Sequence, residues 1–373
     1  MRRRANITID QALSQMDLAS SGSSSESSIA DSSDLASFSE DGNEDDYSLD
    51  SSTLDQTTTS GTSRPTPGTF TFTWNSQDNV PKIHPFTGTP GVKADLRSNS
   101  SILDIFQAFI PPEMITLIAD ETNRYAASKP SRRNPLKKRH DVEWRDVTTD
   151  EIKVVLGLCI LMGVVQKPVI KLYWSTKAML ATPFYSEVMP RDRFLQILSN
   201  MHFANNAEDD GTDRLFKIRN VVETMISNFR EAFTPYQNIA TDESLLKFHG
   251  RLGFKQYNPS KRARFGIKVY KVCQSSGPAA GYTWNMKIYC GQDRTDDGYP
   301  ASTKVVLDLN NRLLGKGYNI YLDNWYSSPG LFAQLLQAGT NVCGTVRLNR
   351  KGMPSDFSKK KDETWRNRIS FMC

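Results

Sequence analysis

The sequence predicts a mixed α/β protein in three parts: an acidic tail over residues 1–80, a mostly helical domain over 85–235, and a mixed sheet with helices over 236–373. Three observations carry this division. The first 80 residues are rich in Ser, Thr, Asp and Gly and lack apolar periodicity, the mark of a disordered segment. Apolar residues then recur at helical spacing up to about residue 235. Past Pro235 the pattern turns to short runs of β-branched and aromatic residues broken by Gly and Pro, and later alternates strand with helix.

Taken in order, residues 101–109 and 111–126 read as helices, with Pro111 and Pro112 marking a fresh start. Thr148 and Glu151 form the two ends of a capping box that opens an apolar helix running to Val165. Further helices are predicted over 191–202 and 213–233. Strands follow over 238–248, 254–257, 265–273 and 282–290. Residues 302–314 then read as a helix with Ser302 as N-cap, Val306, Leu309 and Leu313 on one face, and Gly315 or Gly317 as the stop. A strand over 318–323 precedes a helix capped by Ser328, started by Pro329 and ended at Gly339. The last predicted strand covers 342–347.

An antiparallel start followed by strand–helix–strand crossovers is the order of a ribonuclease-H-like core, in which the opening strand lies beside the first strand after the helix. Asp242 and Asp323 then become neighbours despite the 81 positions between them. Two such carboxylates repel unless a cation lies between them, so the pair reads as a metal site. Its hard oxygen donors favour Mg²⁺ or Mn²⁺ over zinc. Two ions held this way can activate water or a 3′-hydroxyl and stabilise a departing oxygen. Glu243 is expected on the opposite sheet face as a structural residue. Asp308 on a helix, and Asp296 and Asp297 in a loop, read as solvated. Asn324 and Trp325 could support the metal or DNA, or simply pack.

Charge is split along the chain. Residues 1–60 hold 12 acidic residues against three arginines, a net of −9 inside an overall +5. The body is therefore strongly basic, which suits a polyanion partner, while the tail either competes for that surface or only solubilises. Arg251, Lys255, Lys261, Arg262, Arg264 and Lys268, interleaved with Phe254, Tyr257 and Phe265, form the candidate DNA-binding stretch. A two-faced hairpin gives the same alternation. The basic linker over 132–139 reads as a nuclear localisation signal, a phosphate contact or a solvated loop. Neither the five cysteines nor the four histidines show zinc-site spacing, and a disulfide framework is not expected. The longest apolar run, 154–165, is too short to span a bilayer, and no secretory signal opens the chain.

Several ordered segments resemble the piggyBac transposase family. They are Asp242-Glu-Ser-Leu-Leu-Lys-Phe-His-Gly-Arg251, Lys255-Gln-Tyr-Asn-Pro-Ser-Lys261, Phe265-Gly-Ile-Lys268, Tyr321-Leu-Asp-Asn-Trp-Tyr-Ser-Ser328, Gly344-Thr-Val-Arg347 and Met189-Pro-Arg-Asp-Arg-Phe194 leading to Met201-His-Phe203. The likeness spans roughly residues 85–355. It implies a helical dimerisation and DNA-binding domain before a split ribonuclease-H-like catalytic domain. It also implies cut-and-paste transposition in the nucleus, acting on double-stranded DNA at terminal inverted repeats with TTAA targets, and a possible homodimer. Asp242 and Asp323 match the family's first two catalytic aspartates. The family's third lies in a later segment, beyond an inserted domain and before a cysteine-rich zinc-binding tail. The sequence ends at Cys373 without that segment, and Asp356 and Asp362 do not match its motif. The resulting expectation is a sheet incomplete at its C-terminal end and an impaired strand-cleaving centre. A non-catalytic, transposase-derived DNA-binding or regulatory protein is the alternative, and a fragment of a longer product is the third reading.

Overall fold

The computed structural model describes residues 70–72, 74, 82–97, 99–129, 143–259, 264–291 and 298–354. Residues 1–69, the linker at 132–139, Lys261, Arg262, Asp296, Asp297, Asp356, Asp362 and Cys373 lie outside them. Helices dominate up to residue 232. Helix α1 (Ile102–Phe109) opens on a capping box in which the Ser101 hydroxyl accepts from the Asp104 N–H and the Asp104 carboxylate accepts from the Ser101 N–H. After α2 (Pro112–Ser128), the same device starts α3 (Thr149–Val164): Glu151 N–H donates to the Thr148 hydroxyl at 3.2 Å and Thr148 N–H to the Glu151 carboxylate at 3.2 Å. Two shorter helices follow, α4 (Pro183–Val188) and α5 (Arg191–Asn200).

The helix expected over 213–233 begins later, as α6 (Arg219–Ala232). Asp213 is the reason. Its carboxylate accepts from the Leu215 N–H at 2.9 Å and from both Nη2 (2.6 Å) and Nε of Arg219, which holds the segment before α6 in turns. The Arg219 bond keeps the Asp213 carboxyl below its ordinary range.

The chain divides into two compact units. In the smaller, residues 157–193, the Lys167 ammonium donates to the Leu172 carbonyl at 3.1 Å and the Thr182 hydroxyl at 2.9 Å. The Trp174 indole donates to the Met189 carbonyl at 2.7 Å. These bonds from half-buried side-chain donors satisfy acceptors that the irregular backbone leaves without ladder partners.

The larger unit contains the sheet. A two-residue ladder, β1 (Gly91–Val92) against β2 (Phe233–Thr234), precedes it, and neither strand is long enough to leave a periodic trace in the sequence. The main sheet comprises β3 (Asn238–Lys247), β4 (Gln256–Tyr257), β5 (Phe265–Gln274), β6 (Thr283–Ile288), β7 (Asn319–Leu322) and β8 (Asn341–Gly344). Strand order is β4-β5-β3-β7-β8, with β6 also paired to β5. β3 is antiparallel to β5 and parallel to β7, and β7 is parallel to β8, so the sheet is mixed. Between β6 and β7 lies α7 (Ala301–Asn310), and between β7 and β8 lies α8 (Pro329–Gln337).

Local chemistry explains most boundaries. The Ser328 hydroxyl accepts from the Leu331 N–H, Pro329 occupies the first helical position, and Gly339 at φ +65° closes α8. Ser302, expected to cap α7, is instead buried inside the helix, whose N-cap is Pro300. That helix stops at Asn310 rather than Leu314, because the Asn310 carbonyl takes the N–H groups of both Leu313 and Leu314 in a tight turn. β8 ends at Gly344, not Arg347, since its neighbour β7 ends at the paired Leu322. Gly266 sits so close to β3 that a Cβ there would lie 2.3 Å from the Leu246 carbonyl oxygen.

Ile239, Val272, Val306, Ile320, Tyr326 and Leu335 are all at 0 % exposure in the core between sheet and helices. Full burial of each aliphatic side chain contributes about 2 kcal/mol. Polar ties set the register of this apolar surface. Asn238, Asn319 and Asn341 are register partners at the starts of β3, β7 and β8. The Asn319 amide donates to Asn238 Oδ1 at 2.8 Å, and the Asn341 amide to Asn319 Oδ1 at 3.0 Å. Buried Asn310 donates from α7 to the Thr241 hydroxyl at 3.0 Å, and Asn285 from β6 to the Leu309 carbonyl at 2.8 Å. Replacing Asn319 with Ala removes the centre of the amide ladder and should lower unfolding stability by about 1–3 kcal/mol. A thermal melt unchanged from the parent chain would show that the ladder does not hold the register.

Candidate functional site

Asp242 stands in β3 immediately past the end of β7. The parallel ladder pairs Asn238 with Asn319 and ends with Thr241 opposite Leu322. Asp242 and Asp323 are the residues that follow this last pair, on strands spaced roughly 5 Å apart. Both carboxylates are exposed. The adjacency of these two strands expected from the sequence is observed.

The two aspartates are held differently. Asp242 lies within a continuous strand, and its Oδ1 accepts from the Glu243 N–H at 2.7 Å. Across the β3–β5 ladder it faces Lys271, whose side chain therefore leaves the sheet on the same side. Asp323 ends its strand by folding the backbone around itself. Its Oδ1 accepts from the N–H groups of Trp325 (2.9 Å) and Tyr326 (3.3 Å), and its carbonyl accepts from the Ser327 N–H and hydroxyl. That turn is the reason β7 stops one residue before the predicted end.

Glu243, next to Asp242, is half-buried and accepts a 2.8 Å hydrogen bond from the Tyr326 hydroxyl. Burial, then the adjacent Glu243 carboxylate, raises the Tyr326 hydroxyl far above its ordinary range. Tyr270, opposite Glu243 on β5, is pushed up to about 12 by burial, with Tyr289 and Glu243 adding to it. Trp325 stacks on Tyr270 at 6.2 Å between ring centroids, and Tyr326 meets Trp325 edge-on at 4.7 Å. The Lys268 ammonium sits 4.9 Å from the centroids of both Tyr270 and Trp325. Lys268 thus braces the loop that follows Asp323 by a cation–π contact.

Among the described residues, Arg251, Lys255 and Arg264 lie beyond the end of β3 and before the start of β5. β3 continues five residues beyond Asp242 to Lys247, a projection of about 17 Å at the usual strand rise. Arg251 and Arg264 are exposed near its tip. Lys255 donates to the Gly250 carbonyl at 3.0 Å and lies over the Phe265 ring. Lys261 and Arg262 fall outside the described residues. Asp308, read as solvated, instead pairs with Lys287 at 3.2 Å. On the other side of Asp323, Arg347 donates to the Asn324 side-chain oxygen from Nε and Nη2, each at 3.1 Å. Arg350 reaches the carbonyls of Asn324 and Trp325, and burial followed by the nearby Arg347 charge lowers its pKa. Sequence reading missed the parts played by Tyr326 and Arg350, because each acts through a residue distant in sequence.

The donors available to a metal at the aspartate pair are carboxylate oxygens. That set fits Mg²⁺ or Mn²⁺, which take one or two protein carboxylates and complete their shell from water and phosphate. Among the described residues no three His, Cys, Asp or Glu side chains converge as a ligand group.

The mixed α/β fold is shared with a known structure, and the sequence with known proteins. The family described as transposase IS4 matches residues 102–371, and the chain belongs to that family, on its piggyBac-like branch. Human PiggyBac transposable element-derived protein 2 is 28 % identical over 282 residues, 74 % of this chain and 45 % of that protein. Human PiggyBac transposable element-derived protein 3 is 29 % identical over 269 residues, covering 70 % of this chain and 42 % of that protein. The chain spans less than half the length of these two relatives. Among solved structures, a piggyBac transposase synaptic complex with hairpin DNA superposes with a TM-score of 0.63 at 26 % identity, over 74 % of this chain and 56 % of the other.

The Lys268 contact yields a stability prediction. Lys268→Met should lower the unfolding free energy by about 1 kcal/mol through loss of the cation–π contacts. An unchanged unfolding midpoint would show that the ammonium contributes nothing beyond its alkyl stem.

Proposed function

We propose that this chain supplies the paired carboxylates of a metal-dependent DNA strand-cleaving and strand-transfer centre of the piggyBac type. The observation that supports this reading is the parallel β3–β7 ladder, which ends at Thr241 and Leu322, one residue before Asp242 in β3 and Asp323 at the carboxyl end of β7. Ligand sites of open α/β sheets lie at such strand ends. The strand order, with three antiparallel-connected strands leading into two parallel crossovers, supports a ribonuclease-H-like assignment for the sheet. Asp242 and Asp323 would hold Mg²⁺ or Mn²⁺, which when bound supplies an activated water or 3′-hydroxyl and charge stabilisation at the leaving oxygen.

The chain's own residues perform the remaining tasks. Asp323 is oriented by the N–H groups of its own turn, so its free oxygen has a defined direction. Arg251, Lys255, Arg264 and Lys268, with Lys261 and Arg262 of the same stretch, are the proposed phosphate contacts along the β3–β5 ribbon. Double-stranded DNA with terminal inverted repeats is the proposed substrate, TTAA the proposed target, a second copy of the chain the proposed partner and the nucleus the proposed location. The basic linker at 132–139 and the relatives' family support these extensions.

A second reading is a transposase-derived protein that binds DNA without cutting it. Exposed Arg251 and Arg264 serve either reading equally. Nicking of duplex DNA carrying matched terminal repeats in Mg²⁺ or Mn²⁺ separates the two. The parent chain should nick more slowly than a transposase with three catalytic aspartates, and Asp242→Asn or Asp323→Asn should reduce nicking to background while leaving DNA affinity intact. Arg251→Ala and Arg264→Ala should each flatten the salt dependence of DNA binding by about one unit of slope. Nicking that survives loss of either aspartate would overturn the assignment, and salt-sensitive binding with no nicking by the parent chain would establish the second reading.

A further inference from the structure

We infer that Tyr326 and Glu243 are positioning residues that set the spacing of the aspartate pair, an inference that rests on the metal-binding reading of Asp242 and Asp323. The parallel ladder between β3 and β7 ends at Thr241 and Leu322, one residue short of both aspartates. The ladder sets which residues of the two strands are neighbours, but it stops short of the aspartates and leaves the fine spacing of their carboxylates to other contacts. Tyr326 spans that gap. Its N–H donates to the Asp323 carboxylate at 3.3 Å, while its hydroxyl donates to Glu243 at 2.8 Å, on the residue next to Asp242. One side chain thus ties the turn that carries Asp323 to the strand that carries Asp242.

The surroundings suit this task. Tyr326 is at 0 % exposure, so its ring has little freedom to swing away. Trp325 meets it edge-on, and Tyr270 packs against both rings. On the other side of the tie, Glu243 belongs to the middle of β3, where β5 pairs on one edge, opposite Tyr270. Both anchors are therefore rigid, and the hydroxyl–carboxylate bond is the polar link between them. Alternation along β3 sends the Glu243 and Asp242 side chains to opposite faces. Glu243 can hold the turn in place without entering the metal's own ligand shell. Partners of this kind act on metal affinity through ligand orientation.

Mn²⁺ binding to the whole chain, followed by electron paramagnetic resonance alongside thermal melting, tests the tie. Tyr326→Phe, which removes only the hydroxyl, should weaken Mn²⁺ binding about tenfold, the usual effect of losing an outer-shell partner. Glu243→Gln keeps an acceptor for the hydroxyl and should bind Mn²⁺ like the parent, whereas Glu243→Ala should match Tyr326→Phe. The Tyr326→Phe/Glu243→Ala double variant should be no worse than either single variant, since both remove one bond. A merely structural role would move the melting temperature and leave Mn²⁺ affinity in the folded chain unchanged, which would overturn the inference. Asp323→Asn is the control: if it loses Mn²⁺ while Tyr326→Phe keeps it, the tie is refuted and the metal site stands. If Asp323→Asn binds Mn²⁺ as the parent does, the metal reading falls and the tie falls with it.

Discussion

The parallel register between β3 and β7 is the constraint on which the candidate site depends. Side chains alternate along a strand, so a slip of one residue would turn Asp323 to the opposite face from Asp242 and move Ile320 and Leu322 out of the core. The register is specified twice. Fully buried Ile239 and Ile320 lie opposite each other, and the amides of Asn238, Asn319 and Asn341 join the strand starts into one ladder. Buried polar groups cost free energy unless paired, so this ladder penalises every alternative register.

From that constraint the two faces of β3 acquire different work. The face bearing Thr241 and Glu243 turns toward α7, with Asn310 and Tyr326 as its polar partners. The face bearing Asp242 also carries Lys271 from the neighbouring strand. β7 and β8 stop at Leu322 and Gly344, while β3 and β5 run on to the basic tip. An acidic pair thus lies at the foot of a cationic ribbon, an arrangement that suits a phosphate backbone lying along the ribbon with one phosphate at the carboxylates.

Much of this was legible in the sequence because its signals are local. The capping box at Thr148, the Ser328–Pro329 start and Gly339 stop of α8, and the change of period after Pro235 each report on a few adjacent residues. The adjacency of the strands that carry Asp242 and Asp323 followed from strand order alone. What escaped was long-range or too short. Asp213 unwinds the first turn of an expected helix through Arg219, six residues away, and Ser302 has a capping residue's identity but a buried position. The two-residue strands β1 and β2 are shorter than any period. Tyr326 meets Glu243 across 83 positions, and Lys268 meets Trp325 across the fold. No spacing rule connects such pairs before the sheet is assembled.

The central claim is that register places two carboxylates to share a divalent ion. Crystals of the chain grown with Mn²⁺ test it most directly, through anomalous difference density. The account predicts a peak at metal–oxygen contact distance, about 2 Å, from a carboxylate oxygen of both Asp242 and Asp323. A well-occupied Mn²⁺ peak elsewhere, with the two carboxylates turned apart, would contradict it.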